Sequence, residues 1–415
     1  YTDGNSCAAA VATVYNVTVN ALPVPTISGP TSICETTAGN VYTTEAGMTG
    51  YAWIVSAGGT ITAGGTATDN TVTVTWNAAG PQTVSVNYQD ANLCSAASAT
   101  VYNVTVNPLP VPTISGPASV CETTTGSVYT TEAGMTGYAW VVSAGGTITA
   151  GGTATDNTVT VTWNAAGPES VSVNYTDANT CTAAAATVYT VAVNPLPVPT
   201  IAGPATVCAT STGNVYTTEA GMTGYAWVVS AGGTITAGGT ATDNTVTVTW
   251  NTAGPQTVSV NYVNTFTCTA PAAAVYNVTV NPLPVPGLTG PVSICQLSTG
   301  NVYTTDAGMT GYSWVVSAGG TITAGGTATD NTVTVTWNTT GPKTVSVNYI
   351  NANLCSATAP TVLNVTVNAL PVPTVSGPTP VGVGTTNVYT TEAGMTNYVW
   401  TVSAGGTITA GGTAT

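Results

Sequence analysis

The side chains of this sequence that could carry chemistry are thiols and carboxylates. The 415-residue chain has nine Cys and 15 Asp or Glu, but no His and a single basic residue, Lys343. Without His, the commonest general base and metal ligand is missing, and Lys343 alone cannot neutralise a row of phosphates. We therefore expect no enzyme, no cofactor, no metal centre and no nucleic-acid partner.

The cysteines recur at spacings that alternate between 27 and 60. Recurrent thiol pairs with no other soft ligand favour disulfides over zinc, and disulfides indicate an oxidising compartment, outside the cell or on its surface. The nine are Cys7, Cys34, Cys94, Cys121, Cys181, Cys208, Cys268, Cys295 and Cys355.

The spacing leaves more than one pairing open. Bonds between neighbours at the shorter spacing would give Cys355 a partner at position 382, which is Gly382. Bonds between neighbours at the longer spacing leave only Cys7 unpaired, so we favour these, each stabilising its domain by about 2–4 kcal/mol. They are Cys34–Cys94, Cys121–Cys181, Cys208–Cys268 and Cys295–Cys355. The alternative is a bond from one domain to the next, such as Cys34 to Cys181.

The acidic residues recur singly, in sequences typical of turns. An isolated carboxylate beside Asn is ordinary turn chemistry, and this interpretation is favoured over acid–base work or calcium binding. The residues are Glu45, Glu132, Glu219, Asp306 and Glu392, then Asp69, Asp156, Asp243 and Asp330.

Three other patterns are tempting as sites but have simpler explanations. The pair Gly58-Gly59 and the pair Gly64-Gly65 lack the Lys of a phosphate-binding loop, so hairpin turns are favoured. Thr60, Thr62, Thr71, Thr73 and Thr75 could form an ice-binding array, a remote alternative to their use as uncharged strand formers. The sequon Asn-Val-Thr, at Asn16, Asn103, Asn277 and Asn364, lies in a predicted strand, which disfavours glycosylation there. Asn338-Thr-Thr is another sequon.

An internal repeat organises the whole chain. The string Leu-Pro-Val-Pro begins at Leu22 and recurs with an 87-residue period, at Leu109, Leu196, Leu283 and Leu370. A unit of this length is suited to a small autonomous domain with its own core. We therefore divide the chain into a partial repeat (1–21), repeats 1 to 4 (22–108, 109–195, 196–282 and 283–369) and a second partial repeat (370–415).

Strict alternation predicts the strands of each repeat. In repeat 1, Val72, Val74 and Trp76 alternate with threonines, and Tyr51 and Trp53 form another inward set. About seven such strands predict an all-β, immunoglobulin-like sandwich. The inward parity places two Trp of each repeat in the core, which is favoured over sugar stacking. They are Trp53, Trp76, Trp140, Trp163, Trp227, Trp250, Trp314 and Trp337.

The recurring order Tyr-x-Trp, Val-x-Val-x-Trp, Ala-Gly-Pro and Cys resembles the PKD-like, immunoglobulin-like repeats of large secreted Bacteroidetes surface proteins. The resemblance covers the four repeats and both partial repeats, and it implies a structural, adhesive or spacer role at the cell surface. The turn after the first Trp departs from the usual PKD sequence, with Ser56-Ala57-Gly58-Gly59 in its place.

The linkers between repeats are rich in proline, which determines their stiffness. Pro at alternate positions in Pro108-Leu109-Pro110-Val111-Pro112 predicts a semi-rigid spacer and therefore an elongated rod. We expect an extracellular fibre, filament or stalk that self-associates through a surface with few charges. The alternative is an adhesin stalk or carbohydrate-binding module that contacts cell-surface glycans. No apolar run is long enough to insert into a membrane.

The two partial repeats are too short to close a sandwich. Residues 1–21 hold only the last strands of a unit, and 370–415 lack its later strands. We therefore expect the 415 residues to be a window in a continuous polymer. The alternative is that the partial repeats of successive molecules complete one another by strand donation.

Overall fold

A computed structural model describes all 415 residues and contains strands but no helix. It divides into two compact units: unit 1 comprises 1–198, 221–224 and 261–272, and unit 2 comprises 199–220, 225–260 and 273–415. No helix is long and apolar enough to cross a membrane.

The strands recur at the 87-residue spacing of the sequence. Repeat 1 contains β1 (Ser32–Cys34), β2 (Asn40–Thr43), β3 (Thr49–Val55), β4 (Gly59–Gly64), β5 (Thr71–Trp76), β6 (Gly80–Gln89) and β7 (Thr100–Asn107). Repeat 2 contains β8 (Ser119–Cys121), β9 (Ser127–Thr130), β10 (Thr136–Val142), β11 (Gly146–Gly151), β12 (Thr158–Trp163), β13 (Gly167–Thr176) and β14 (Thr187–Asn194). Repeat 3 contains β15 (Thr206–Cys208), β16 (Asn214–Thr217), β17 (Thr223–Val229), β18 (Gly233–Gly238), β19 (Thr245–Trp250), β20 (Gly254–Val263) and β21 (Ala274–Asn281). Repeat 4 contains β22 (Leu288–Thr289), β23 (Ser293–Cys295), β24 (Asn301–Thr305), β25 (Thr310–Val316), β26 (Gly320–Gly325), β27 (Thr332–Trp337), β28 (Gly341–Ile350) and β29 (Thr361–Asn368).

Each repeat forms a four-stranded and a three-stranded sheet, and repeat 4 adds the short β22 to the smaller sheet. In repeat 1 the strand orders are β1-β7-β6-β3 and β2-β5-β4. All pairs are antiparallel except that of β1 with β7, which places Cys34 beside Asn107. This parallel pair fixes the position of Cys34 at the end of the domain where β7 finishes.

The inward positions of both sheets meet in one core per repeat, as the alternation predicts. In repeat 1, Val72, Val74 and Trp76 of the smaller sheet and Val84 and Val86 of the larger sheet are fully buried in a single cluster. The corresponding clusters of repeats 2 and 4 contain the same residue types at the same places. The all-β sandwich fold predicted from the sequence is confirmed.

The glycine pairs form turns. Gly59 donates its backbone N–H to Ser56 O at 2.9 Å at the start of β4, and Gly65 donates to Thr71 O at 2.9 Å. Gly64 and Gly65 have φ values of 65° and 76°, in the left-handed region that glycine adopts without a steric penalty. These pairs therefore shape the ends of the β4–β5 hairpin.

The partial repeats at 1–21 and 370–415 contain isolated bridges and no strand. One bridge joins Thr2 to Ala8 and another joins Ser376 to Thr390. The domain boundaries at the Leu-Pro-Val-Pro strings remain predictions, as does the elongated rod.

Candidate functional site: the disulfide junctions between repeats

Three disulfides connect successive repeats, and each lies within one compact unit. Cys34 bonds Cys181 and Cys121 bonds Cys268 in unit 1, and Cys208 bonds Cys355 in unit 2. The sequence separation is 147 residues in every case, and the Cα atoms lie 5.5–5.6 Å apart. Cys7, Cys94 and Cys295 are free thiols.

The favoured pairing within repeats is therefore wrong, and the minority alternative of Cys34 with Cys181 is the one observed. Cys34–Cys94, Cys121–Cys181, Cys208–Cys268 and Cys295–Cys355 do not form. The reason is the geometry of the β1–β7 pair. Cys34 lies beside Asn107 at the end of β7, whereas Cys94 lies in the loop that precedes Thr100 at its start.

A strand of eight residues holds the two cysteines of one repeat apart. At about 3.4 Å per residue, β7 separates its ends by about 24 Å. A disulfide requires Cα atoms closer than about 7 Å. One cysteine of each repeat therefore faces the following domain and the other faces the preceding domain, so that only bonds across a junction are within reach.

The loop that presents the second cysteine is built by an Asp or Asn that precedes it by one turn. In repeat 2, Asp177 Oδ1 accepts the backbone N–H groups of Asn179 at 2.9 Å and Cys181 at 2.8 Å. Thr180 adopts a φ of 64°, which turns the chain back toward the sheet. Asp and Asn side chains favour such turns because their oxygens can bond the following backbone.

The same loop forms whether or not its cysteine is bonded. Asp90 Oδ1 accepts the N–H of Cys94 at 2.9 Å, and Asn264 Oδ1 accepts that of Cys268 at 3.0 Å. Cys268 is fully buried in its disulfide, as is Cys181, whereas the free Cys94 is only half-buried. The loop is therefore preformed, and the disulfide buries its cysteine against the neighbouring repeat.

The first cysteine is held by the parallel β1–β7 pair. In repeat 1, the Asn107 side chain donates to Ser32 Oγ at 2.9 Å, and Glu35 N–H donates to Asn107 O at 2.8 Å. Asn107 is the last residue of β7 and directly precedes Pro108 of the linker. The disulfide is thus anchored next to the point where the chain leaves the domain.

A glutamate fixes the other end of the linker. In repeat 2, the Glu132 carboxylate accepts the Thr113 N–H at 3.1 Å, the Thr131 hydroxyl at 2.7 Å and the Tyr175 hydroxyl at 3.0 Å. The Thr113 hydroxyl donates to it as well. Thr113 follows directly after Pro112 of the linker. The interpretation of these acids as isolated turn residues therefore missed their role in holding the incoming chain.

These contacts displace the pKa values of both partners. Burial alone would raise the pKa of Glu132, but the hydrogen bonds from Thr113 and Thr131 outweigh it and lower the pKa from 4.5 to about 2. Burial, followed by the hydrogen bond to Glu132, raises the pKa of Tyr175 to about 12. Glu45 and Glu219 have the same pKa of about 2. The pKa of Asp306 is lowered as well, because its carboxylate accepts the Gly287 N–H at 2.7 Å.

The two tryptophans of each of repeats 1 to 4 are interior and therefore unable to stack sugars. Trp76 is fully buried, and its indole N–H donates to the Tyr42 hydroxyl at 3.1 Å. Trp53 is 7% exposed and donates to the backbone carbonyl of Asp69 at 2.9 Å. The other repeats place their pairs in the same way: Trp140, Trp163, Trp227, Trp250, Trp314 and Trp337 are each at most 9% exposed.

Four aspartates, one in each of repeats 1 to 4, shape turns: Asp69, Asp156, Asp243 and Asp330. Asp69 Oδ2 accepts the backbone N–H of Thr66 at 3.0 Å, and the Thr66 hydroxyl also donates to it. These hydrogen bonds, first from the side chain and then from the backbone of Thr66, lower the pKa of Asp69. Nowhere do three His, Cys, Asp or Glu side chains come together as metal ligands would.

The threonine face is less regular than an ice-binding array requires. Thr73 lies opposite Val41 on one side and Ala63 on the other. The register of β4 shifts between Ile61 and Ala63. The Thr60 hydroxyl accepts a hydrogen bond from the Asn77 side chain at 2.9 Å. The face therefore mixes methyl, hydroxyl and amide groups around a bulge.

The sequence carries a signal for the loop that holds each second cysteine. An Asp or Asn stands at the same short distance before each second cysteine, at Asp3, Asp90, Asp177, Asn264 and Asn351. Such a residue predicts a tight loop around the cysteine. This signal places only the second cysteine, next to the start of β7. The pairing within repeats is excluded once the parallel β1–β7 pair places Cys34 beside Asn107 at the end of β7.

The fold and its junctions define a tandem array of immunoglobulin-like β-sandwich domains. A family model described as the PKD-like domain matches residues 19–104, 107–191, 194–278 and 281–365. The chain belongs to the PKD-like domain family. The bacterial source that the resemblance implied remains a prediction.

Several solved structures are similar to this chain at low sequence identity. Invasin, a bacterial integrin-binding protein, is 14% identical, with 86% of this chain and 81% of that chain covered and a TM-score of 0.28. The human desmocollin-1 ectodomain is 10% identical, with coverage of 81% and 77% and a TM-score of 0.24. The D00-D0 domain of intimin is 15% identical, with coverage of 41% and 100% and a TM-score of 0.25. A comparison with curated protein sequences gives no match.

Proposed function

We propose that this chain is a segment of an extracellular structural fibre or stalk in which consecutive PKD-like domains are joined covalently twice, once by the linker and once by a disulfide. The cross-repeat disulfides are the observation that carries the proposal. A bond such as Cys34–Cys181 lies outside the hydrophobic core clusters of both domains. It restrains one domain relative to the next, which is useful where a chain must bear load.

Three disulfides per chain support a location outside the cell. Disulfides persist in oxidising compartments and are rare where thiols are kept reduced. The pinned linker supports the same mechanical role. Pro112 O accepts the Thr187 hydroxyl at 2.6 Å, and Thr113 is bound to Glu132, so the end of the linker is fixed to repeat 2.

Side-by-side association is supported by apolar side chains on the outer face of the larger sheet. In repeat 1, Ile54 and Val101 are aligned on either side of Ser85 and are 66% and 58% exposed. The same position in the other repeats carries Val141 with Val188, Val228 with Val275, and Val315 with Val362. Since charged residues make up only 4% of the chain, little repulsion opposes contact between copies.

Electron microscopy of the purified chain over a range of concentrations tests this proposal. We expect filaments or lateral bundles whose abundance rises with concentration and needs no added ligand. The matched variants are Ile54→Thr with Val101→Thr, which remove the apolar pair, and Thr43→Ser as a control in β2 of the smaller sheet. Monomeric particles at every concentration, combined with saturable binding on a glycan array, would favour the adhesin alternative.

A further inference from the structure

The connectivity of the three disulfides has a mechanical consequence that depends on which residues lie between them. Cys34–Cys181 bypasses residues 35–180, and Cys208–Cys355 bypasses residues 209–354. Between the two bonds the chain runs only from Cys181 to Cys208, the shorter spacing of the cysteine pattern. Tension applied outside Cys34 and Cys355 therefore passes through this segment and two sulfur–sulfur bonds.

The length of this covalent path can be calculated. A fully extended chain spans at most about 3.3–3.6 Å per residue, so the segment from Cys181 to Cys208 reaches about 90–97 Å. Each disulfide adds a Cα–Cα distance of 5.5–5.6 Å. With the disulfides reduced, the path from Cys34 to Cys355 is the whole intervening chain, or about 1,100 Å.

We infer that the cross-repeat disulfides act as a strap that limits the extension of the chain, and that a dithiol reductant releases it. In the oxidised protein, the segment from Cys34 to Cys355 cannot lengthen beyond about 110 Å even when every repeat unfolds. Reduction transfers two electrons and two protons from the dithiol to each disulfide, giving two protein thiols and an oxidised, cyclic reductant. The accessible length then rises about tenfold.

The middle disulfide belongs to a second, interleaved path. That path runs from Cys94 to Cys121, across to Cys268 and on to Cys295, so each of its backbone segments is again one shorter cysteine spacing. It does not lie on the short route between Cys34 and Cys355. Removing it therefore leaves that route unchanged, although the protein loses a disulfide of the same type and the same separation of 147 residues.

This difference provides a matched control. Replacing Cys34 and Cys181 by Ser leaves a shortest route that runs one repeat length from Cys34 to Cys121, crosses to Cys268, returns to Cys208 and crosses to Cys355. The backbone along this route is more than five times as long as the segment from Cys181 to Cys208, a gain of about 400–430 Å. Replacing Cys121 and Cys268 by Ser gives no gain.

Single-molecule force spectroscopy of the full chain, held by tags at its two ends, tests the inference. Cys7, Cys94 and Cys295 are changed to Ser in every variant, and non-reducing peptide mapping verifies the remaining bonds. We expect the C34S/C181S chain to exceed its parent in final contour length by about 400 Å and the C121S/C268S chain to match the parent. Dithiothreitol should make all three equally long.

The strap is refuted if the C121S/C268S chain lengthens as much as the C34S/C181S chain, or if the oxidised parent shows extension steps of a whole 87-residue repeat, about 300 Å. Because the measurement unfolds the protein, a variant with weakened domains still reports its contour length. The biological use of the strap rests on the proposed load-bearing function, but its test does not. Filaments seen by electron microscopy without the strap, or the strap without filaments, would separate the two proposals.

Discussion

Acid should weaken the repeats through the glutamates that hold the linkers. Glu45, Glu132 and Glu219 have an ordinary pKa of 4.5 that is lowered to about 2 in the fold. A lowered pKa means that the folded state binds the proton less readily than the unfolded chain. The stabilisation is therefore complete above pH 4.5 and is lost as the pH falls toward 2.

The expected loss of stability follows from the size of the pKa shift and from the solvent exposure of the glutamate. A shift from 4.5 to about 2 corresponds to about 3 kcal/mol for a fully shielded group. Glu132 is half-buried, and solvent screening reduces its contribution to about 1 kcal/mol. For a domain of this size, that loss lowers the melting temperature by about 4–8 °C.

Differential scanning calorimetry between pH 7 and pH 2.5 measures this decline. The variant E45Q/E132Q/E219Q should melt lower at pH 7 and should show a flatter pH dependence than its parent. The control is E35Q/E122Q, because the side chains of Glu35 and Glu122 accept no hydrogen bond in the structure. Equal melting temperatures of the parent at pH 5 and pH 2.5, or an unchanged slope in the triple variant, would contradict the assignment.

Other predictions concern the core, the turns and the junction. Trp163→Ala should destabilise repeat 2 by about 3–5 kcal/mol in chemical denaturation, because the ring is fully buried; an unshifted transition would place the ring outside. Gly146→Ala should cost about 1–3 kcal/mol, since a Cβ would lie 2.5 Å from Val142 Cγ1 and 2.7 Å from Trp163 Cζ3; a variant as stable as the parent in the same titration would contradict the close packing. Thr206→Ser should stabilise repeat 3 by about 1 kcal/mol. In repeats 1 and 2 a serine hydroxyl at this position accepts a hydrogen bond from Asn107 or Asn194, whereas in repeat 3 the Thr206 hydroxyl accepts none from Asn281, whose Nδ2 is unpaired. Serine has no γ-methyl group, so its hydroxyl is free to take the orientation seen in Ser32 and Ser119; the reverse change Ser119→Thr should lower the melting temperature, and no change in either variant would count against the hydrogen bond.

The alternation of apolar and polar residues, together with the glycine pairs that mark turns, was sufficient to predict the fold. Val72, Val74 and Trp76 point inward because successive residues of a strand face opposite sides of the sheet, and this local rule needs no knowledge of other strands. The glycine pairs predicted turns for an equally local reason, since only glycine adopts positive φ without a steric penalty. Because the sequence repeats every 87 residues, the strands predicted for one repeat applied to all four.

The disulfide pairing was decided only by the tertiary structure. The number of residues between Cys34 and Cys94 does not reveal that the two lie at opposite ends of β7. The parallel pairing of β1 with β7 places Cys34 beside Asn107, at the end of β7. The role of Glu132 was hidden for the same reason, because Thr113 reaches it across 19 positions and Tyr175 across 43. Spacing fixes which residues share a strand face, but contacts between distant strands follow from how the sheets pack. Packing therefore decided both the disulfide partners and the residues that Glu132 binds.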